Sequence, residues 1–270
     1  MTIQQVPQDQ WALGDNYERY IGRWSRLVAH RFVTWLALPS ALHWLDVGCG
    51  TGALTQTILK DCAPASVLGI DTSAGFIALA RAQVNDTCAS FQSGAAQALP
   101  LADGSVNAVV SGLVLNFTPD PARSLTEMVR VTRPGGTVAA YVWDYAGGMQ
   151  MLRLFWDAAC ALDRGALALD EGRRFPICNR EVLRALWQEG GLAQIECCDI
   201  DVPTVFSSFD DFWLPFLGGQ GPAPTYCGTL AEDARTALRD RLRAMLPIAP
   251  DGCIALTARA LAVRGVRRDA

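Results

Sequence analysis

Histidine is almost absent from this chain: His30 and His43 are the only two among 270 residues. His30 falls inside a helical pattern with Trp24, Val28, Phe32 and Trp35, and His43 opens an apolar run at the end far from any ligand crevice. Both read as structural or solvated, which leaves little scope for a histidine general base. Zinc-type cysteine spacing is missing too. The nine cysteines are scattered with no CxxC pair, which argues against a zinc site and against a disulfide framework, so reduced and mostly buried thiols are expected. Cys197 and Cys198 are adjacent in a strand-like run and would face opposite sides of a sheet. There is no excess of positive charge. A net charge of -4 and a pI near 5.2 disfavour nucleic acid as a partner. Nowhere do about 20 apolar residues follow one another, as a membrane span requires, and MTIQQVPQDQWALG lacks a basic segment followed by an apolar one. A cytoplasmic protein is expected. Internal repeats and low-complexity tracts are also lacking.

What is present is apolar material, 50% of residues against 19% charged, enough for a large core. It is laid out as short runs at 42–47, 66–71, 88–92, 106–111 and 136–143, each the length of a buried strand. Helical spacing fills the intervals 52–60, 73–84 and 121–132, where Leu125, Met128, Val129 and Thr132 share a face. Asp120 followed by Pro121 reads as a helix start, and Arg133-Pro134-Gly135-Gly136 as a stop. Alternating strand and helix imply parallel strands joined by right-handed crossovers, a doubly wound α/β fold. After residue 145 come helices over 148–163 and 179–189 and a strand over 192–205. A helical segment from 208 then reads as an insertion before the last strand.

The first run ends in LDVGCGTGALT, with glycines at 48, 50 and 52. In an open α/β sheet the turn after the first strand forms the backbone side of the ligand crevice. Asp71 ends the second run, at the place where a carboxylate accepts both hydroxyls of a ribose. Together they indicate an adenosine-type ligand, either a nicotinamide dinucleotide or S-adenosylmethionine. Dinucleotide folds generally use GxGxxG to bring a helix N-terminus against a pyrophosphate. Here the spacing is GxGxG, and Asp46 would repel a pyrophosphate yet accept hydrogen bonds from the ammonium of a methionine moiety. The balance tilts to S-adenosylmethionine.

The segments LDVGCGTGALT, GIDTS, SGAAQALPLADGSVNAVVSGLVLNF and EMVRVTRPGGTVAAYVW resemble the successive motifs of class I S-adenosylmethionine-dependent methyltransferases, in the ubiquinone/menaquinone-biosynthesis-like (type 11) group. The resemblance covers residues 42–143 and implies a seven-stranded, mostly parallel Rossmann-like sheet in one methyltransferase domain. In that domain, residues 1–40 form an N-terminal helical lid segment and 41–145 the cofactor-binding core. Residues 146–270 form the substrate side, including the insertion at 208–250.

The resemblance further implies that Gly48, Gly50 and Gly52, with Cys49 between them as a residue small enough for the turn, wrap the methionine part of the cofactor. It places Asp71 on the ribose and Thr72, Ala95 and Ala96 beside the adenine, with Ser111, Leu113 and the rest of 111–116 approaching the methyl donor. Many relatives carry Asp where Ala95 stands, so backbone groups are expected to replace that adenine contact. The NPPY or DPPY mark of amine and amide methylation is absent, as is the Pro-Cys pair of cytosine C5 enzymes. Small-molecule methylation is therefore the expected activity, with no metal.

A sulfonium methyl is strongly electrophilic, so alignment and exclusion of water are the protein's main tasks. If a base is needed, Tyr17, Tyr20, Asp144 and Tyr145 are the candidates. Aromatics gather in the expected lid (Tyr17, Tyr20, Trp24, Trp143, Tyr145, Phe175, Trp213, Phe216), suggesting an apolar or aromatic substrate. Arg23 and Arg174 are flanked by aromatics and are candidates to hold a carboxylate of substrate or cofactor, Arg23 being placed with the cofactor. Two alternatives stand: a non-catalytic cofactor-binding or partner protein on the same fold, and a nicotinamide-dependent oxidoreductase.

Overall fold

The apolar runs become strands of one sheet in the computed structural model, which describes residues 18–218 and 221–269. The strands are β1 (His43–Val47), β2 (Ser66–Asp71), β3 (Ala89–Ser93), β4 (Val106–Gly112), β5 (Thr132–Trp143), β6 (Ala193–Phe206) and β7 (Ile254–Val266). Their order across the seven-stranded sheet is β3-β2-β1-β4-β5-β7-β6. Strands β1 to β5 pair in parallel, whereas β7 runs antiparallel to both β5 and β6. Because β1 lies between β2 and β4, strand order reverses there, and the carboxyl ends of β1 and β4 flank the crevice that such a reversal opens.

The helices are α1 (Arg23–Leu36), α2 (Ala53–Cys62), α3 (Ala74–Gln83), α4 (Pro121–Val131), α5 (Gln150–Leu162), α6 (Glu171–Arg174), α7 (Arg180–Glu189), α8 (Phe209–Trp213), α9 (Pro222–Thr229) and α10 (Glu232–Met245), with a π turn over Glu18–Gly22 ahead of α1. Side chains start several of them. Ser73 accepts from the Phe76 N–H at α3, and Asp120 accepts from the Arg123 N–H at α4, with Pro121 in the first turn, where its missing N–H costs nothing. Substituting such a cap by Ala costs about 1 kcal/mol.

α1 turns Val28, Phe32 and Leu36 inward and packs against α2 and the β6–β7 pair. Each large side chain buried in this way contributes roughly 1.5–3 kcal/mol. The Trp187 indole N–H of α7 donates to the Val138 carbonyl at 3.0 Å, which fixes that helix on the sheet. α8, α9 and α10 fill the chain between β6 and β7, so the helical insertion stands before the last strand, where the sequence places it.

One boundary differs. The spacing predicts a strand from 136, but β5 begins at Thr132. The Arg133–Gly136 turn is absorbed as an irregularity in the β4–β5 pairing, with Gly135 at φ +73°. Among the described residues, no helix is long and apolar enough to cross a membrane.

Candidate active site

A cavity of about 450 Å³ opens at the carboxyl ends of β1 and β4, within the range of small-molecule sites. Its floor is the turn after β1. Gly48, Gly50 and Gly52 all adopt positive φ, at +76°, +52° and +89°, a region that other residues enter only at a cost. The three glycines do different things. A Cβ on Gly48 would stand 2.5 Å from a Val114 methyl, and one on Gly52 would stand 3.0 Å from Val84, whereas one on Gly50 would meet no protein atom within 4 Å. Gly48 and Gly52 thus permit close packing of the protein on itself, while Gly50 keeps bare backbone beside the open cavity.

Two carboxylates face this turn. Asp71, at the end of β2, accepts from the Gly50 N–H at 3.0 Å through Oδ2 and from the Ser73 N–H at 2.8 Å through Oδ1. Asp46 is 1% exposed. Its Oδ2 accepts from the Thr55 hydroxyl at 2.7 Å, and Oδ1 has no hydrogen-bond partner. Burial pushes the Asp46 carboxyl up to about 7, Thr55 opposes that shift, and Asp71 adds to it. A buried carboxylate oxygen left without a donor is costly, on the order of 1–3 kcal/mol. At the wall of a cavity it is a site for a hydrogen-bond donor or cation brought by a ligand. An ammonium for Asp46, a diol for Asp71 and an unobstructed backbone at Gly50 fit the nucleoside that the motifs imply.

The opposite wall is largely apolar and aromatic. Tyr141 and Trp143, two residues apart at the end of β5, share a face of the sheet, and with Tyr145 in the turn that follows they line the cavity. Leu113, Val114 and Phe117 follow β4. Leu113 is held at φ +61°, and its N–H donates to the Tyr141 carbonyl at 2.8 Å. A left-handed conformation at a non-glycine residue costs of order 1–3 kcal/mol and tends to occur at functional sites. Phe117 packs edge-on against Phe175, ring centroids 5.2 Å apart, and Tyr145 lies 5.8 Å from the same ring. Ile21 and Ser25 close the cavity from the N-terminal helix.

Of the residues singled out in the sequence, Asp46, Gly48, Cys49, Gly50, Asp71, Thr72, Leu113 and Tyr145 line this one cavity. Gly52 sits just below it as the residue that starts α2. Ser111 is fully buried and donates to the Val47 carbonyl at 2.8 Å, which ties β4 to β1 behind the cavity wall. Ala96 belongs to the hydrophobic core, and Ala95 bridges to Ala98; neither lines the cavity. Asp144 accepts from the Gly147 N–H at 3.0 Å and so closes its own turn away from the lining. Tyr20 is buried outside the lining, and its hydroxyl is without a hydrogen-bond partner. Burial raises its phenol well above the usual range, and Glu171 and Tyr145 raise it further. Tyr17 lies outside the described residues.

Arg23 stands outside the cavity lining, and its Nη1 donates to Asp211 Oδ1 at 2.8 Å, a carboxylate of the insertion.

The sequence reading missed several lining residues. Ser73 and Phe76 lie shortly beyond Asp71, and Leu54 lies in the first turn of α2, but nothing in their residue types marks them for a ligand. Tyr141 was legible from the period-two spacing with Trp143 and Tyr145. Glu171, 2% exposed, was also missed. It accepts from the Trp156 indole N–H, and burial pushes it up to about 7. All nine cysteines are free, and burial raises the Cys49 thiol far above its ordinary range, so it stands in the cavity wall as an inert thiol. Among the described residues, no three His, Cys, Asp or Glu side chains are grouped to hold a metal.

Comparison with known proteins matches residues 45–140 to the family model described as "Methyltransferase domain". An uncharacterized methyltransferase of Mycobacterium bovis is 35% identical over 223 residues, 81% of this chain and 79% of that protein. Demethylmenaquinone methyltransferase of Lactiplantibacillus plantarum is 38% identical over 103 residues, covering 36% of this chain and 44% of that protein. Against the first three curated relatives, the matched region spans 44%, 27% and 53% of their lengths. Among solved structures, Haemonchus contortus phosphoethanolamine N-methyltransferase 2, in complex with phosphomonomethylethanolamine and S-adenosylhomocysteine, superposes with a TM-score of 0.59 at 16% identity, over 94% of this chain and 57% of that one. At that identity the likeness is one of fold.

Proposed function

This chain belongs to the class I S-adenosylmethionine-dependent methyltransferases, and from that premise we propose that it transfers a methyl group to a small, apolar or aromatic metabolite. The observation that carries the substrate class is the wall of Trp143, Tyr145, Phe117 and Leu113 facing the Asp46 and Asp71 carboxylates across one cavity. A strongly charged acceptor would lose its hydration against that wall without a compensating partner.

S-adenosylmethionine, when bound, supplies an electrophilic methyl carbon on a positively charged sulfur. In our reading Asp46 Oδ1 takes the cofactor's ammonium, the turn over Gly48–Gly52 receives the methionine part, and Asp71 takes the ribose hydroxyls. Asp71 is held for that task by the Gly50 and Ser73 amides, so little ordering remains to be done when the ligand arrives. Thr72, Ser73 and Phe76 flank the adenine side, and Ala95 and Ala96 act from behind it as packing. Trp143 and Tyr145 place the acceptor in line with the methyl carbon and keep water away, so proximity and desolvation provide most of the acceleration. Among the base candidates within the described residues, Tyr145 faces the cavity, and it is the group that orients the acceptor's nucleophile. The N-terminal helix and the insertion complete the same catalytic unit.

The test is turnover. Purified protein, S-adenosylmethionine and fractions of a bacterial metabolite extract are incubated, and S-adenosylhomocysteine is followed by mass spectrometry. Product formation with the organic-soluble fraction supports the reading. Cofactor binding with turnover confined to the most polar fraction would contradict the proposed substrate class.

A further inference from the structure

Arg23 is a charged residue with an unusual setting. It lies between Ile21 and Ser25, which both line the cavity. At a helical pitch of about 100° per residue, a side chain two positions away leaves on the opposite flank. On that flank Nη1 donates to Asp211 Oδ1 at 2.8 Å, and the guanidinium carbon lies 4.5 Å from the Trp24 ring centroid and 4.8 Å from that of Phe206. Trp24 and Phe206 meet edge to face at 5.6 Å. Asp211 is itself fixed: its Oδ2 accepts from the Ser207 N–H at 2.9 Å, and its own N–H donates to the Ser208 hydroxyl at 3.1 Å at the start of α8.

The pair is only partly exposed, at 30% and 29% of side-chain area. Exposed ion pairs contribute about 0–1 kcal/mol, so a solvated bridge here would matter little. This one has two aromatic faces around it, while Nε and Nη2 of Arg23 are buried without partners. Leaving those donors unsatisfied works against stability. The arrangement is better explained by what it holds in place: Ile21 and Ser25 on one flank of a short helical segment, and the insertion on the other. A second contact runs the same way, since the Tyr20 ring packs edge-on at 5.5 Å against Phe216 of the insertion.

We infer that Arg23 is a positioning residue for the reaction: its clasp on Asp211 fastens the start of the N-terminal helix to the insertion, keeps Ile21 and Ser25 over the bound nucleoside, and sets the rate at which that nucleoside leaves. The inference rests on the methyltransferase reading. Arg23 does not touch the ligand; it acts through the two residues that flank it.

The experiment is the dissociation rate of S-adenosylhomocysteine from the 270-residue chain by surface plasmon resonance, alongside the melting temperature of each variant. Arg23→Gln and Asp211→Asn are each expected to raise the dissociation rate at least tenfold. The double variant should be no faster than either single one, because both break the same clasp. Arg23→Lys keeps the charge but loses the planar stacking and should fall between. Arg259→Gln, which breaks the bidentate pair with Asp201 across the paired strands β6 and β7, is the control and should leave the rate unchanged. Should Arg23→Gln fail to fold, Asp211→Asn carries the same test. Rates within twofold of wild type in the folded clasp variants overturn the inference alone. Failure of the unaltered protein to bind S-adenosylhomocysteine overturns the methyltransferase reading, and this inference with it.

Discussion

The Gly50 amide N–H donates to Asp71 Oδ2 at 3.0 Å, joining the glycine turn after β1 to the carboxylate that ends β2. The two features that the sequence separates by a ten-residue helix and a strand are one object in space. With the Ser73 N–H on Oδ1, the carboxylate is aimed before a ligand binds.

Asp71→Ala should therefore weaken S-adenosylhomocysteine binding by about a hundredfold or more, since hydrogen bonds to a charged group contribute about 1.5–3 kcal/mol each. Isothermal titration calorimetry measures it. Asp71→Asn keeps the shape and should fall between. An unchanged affinity in the alanine variant would remove Asp71 from the ribose.

Asp46 should make cofactor binding pH-dependent. Its carboxyl is pushed up to about 7 by burial, so below that pH it is largely protonated and offers no charge to an ammonium. A bound ammonium pulls the carboxyl down, so binding expels the proton, and affinity rises with pH until about 7 before levelling off. Calorimetry in buffers of differing ionisation enthalpy should detect proton release near pH 6 and little above pH 8. Asp46→Asn should abolish the dependence and weaken binding at pH 8.

Glu171 carries the stability counterpart. Its folded value, about 7, lies above the ordinary 4.5. Below 4.5 both folded and unfolded states hold the proton and nothing is lost; as pH rises toward 7 the unfolded state releases it first, and folding is penalised. That penalty is on the order of 3 kcal/mol at pH 8. Glu171→Gln removes it and leaves an amide oxygen for the Trp156 indole. Urea titrations should show the variant gaining on the wild type between pH 4.5 and pH 8; a constant difference would contradict the buried, proton-retaining Glu171.

The glycines separate folding from binding. Gly48→Ala drives a Cβ to 2.5 Å from Val114 Cγ1 at φ +76° and should cost several kcal/mol of stability, partly recovered by Val114→Ala. Gly50→Ala meets no protein atom within 4 Å. It should cost about 1 kcal/mol in backbone strain but weaken S-adenosylhomocysteine binding at least tenfold. Melting temperature and calorimetry on both variants make the comparison. Equal binding losses in the two would show that Gly50 does not face the ligand.

Much of this was legible in the chain because the signals are local. Strand runs in β1, β2 and β4 are bounded by turns, and Asp120-Pro121 starts α4 where it should. The acids near the carboxyl ends of β1 and β2, Asp46 and Asp71, point to the crevice because a parallel sheet brings strand ends together at one edge. The partners that Arg23 and Asp144 take in the fold were not legible, for a different reason. A charge near a site goes to whichever partner the tertiary fold offers, and those partners, Asp211 and the Gly147 amide, lie beyond what spacing reveals. Ile21, Ser25 and Glu171 carry no local signal either; their roles follow from α1 and α6 packing against segments distant in sequence.

On the proposed reading, Asp46 and Asp71 grip the two ends of one sulfur nucleoside across the glycine turn. A crystal structure with S-adenosylhomocysteine should show the ribose hydroxyls on Asp71 and the amino group at Asp46 Oδ1, directly or through one water, with the sulfur facing Trp143 and Tyr145. A nucleoside bound away from this turn, or bound here with Asp46 Oδ1 still without a partner, would contradict it.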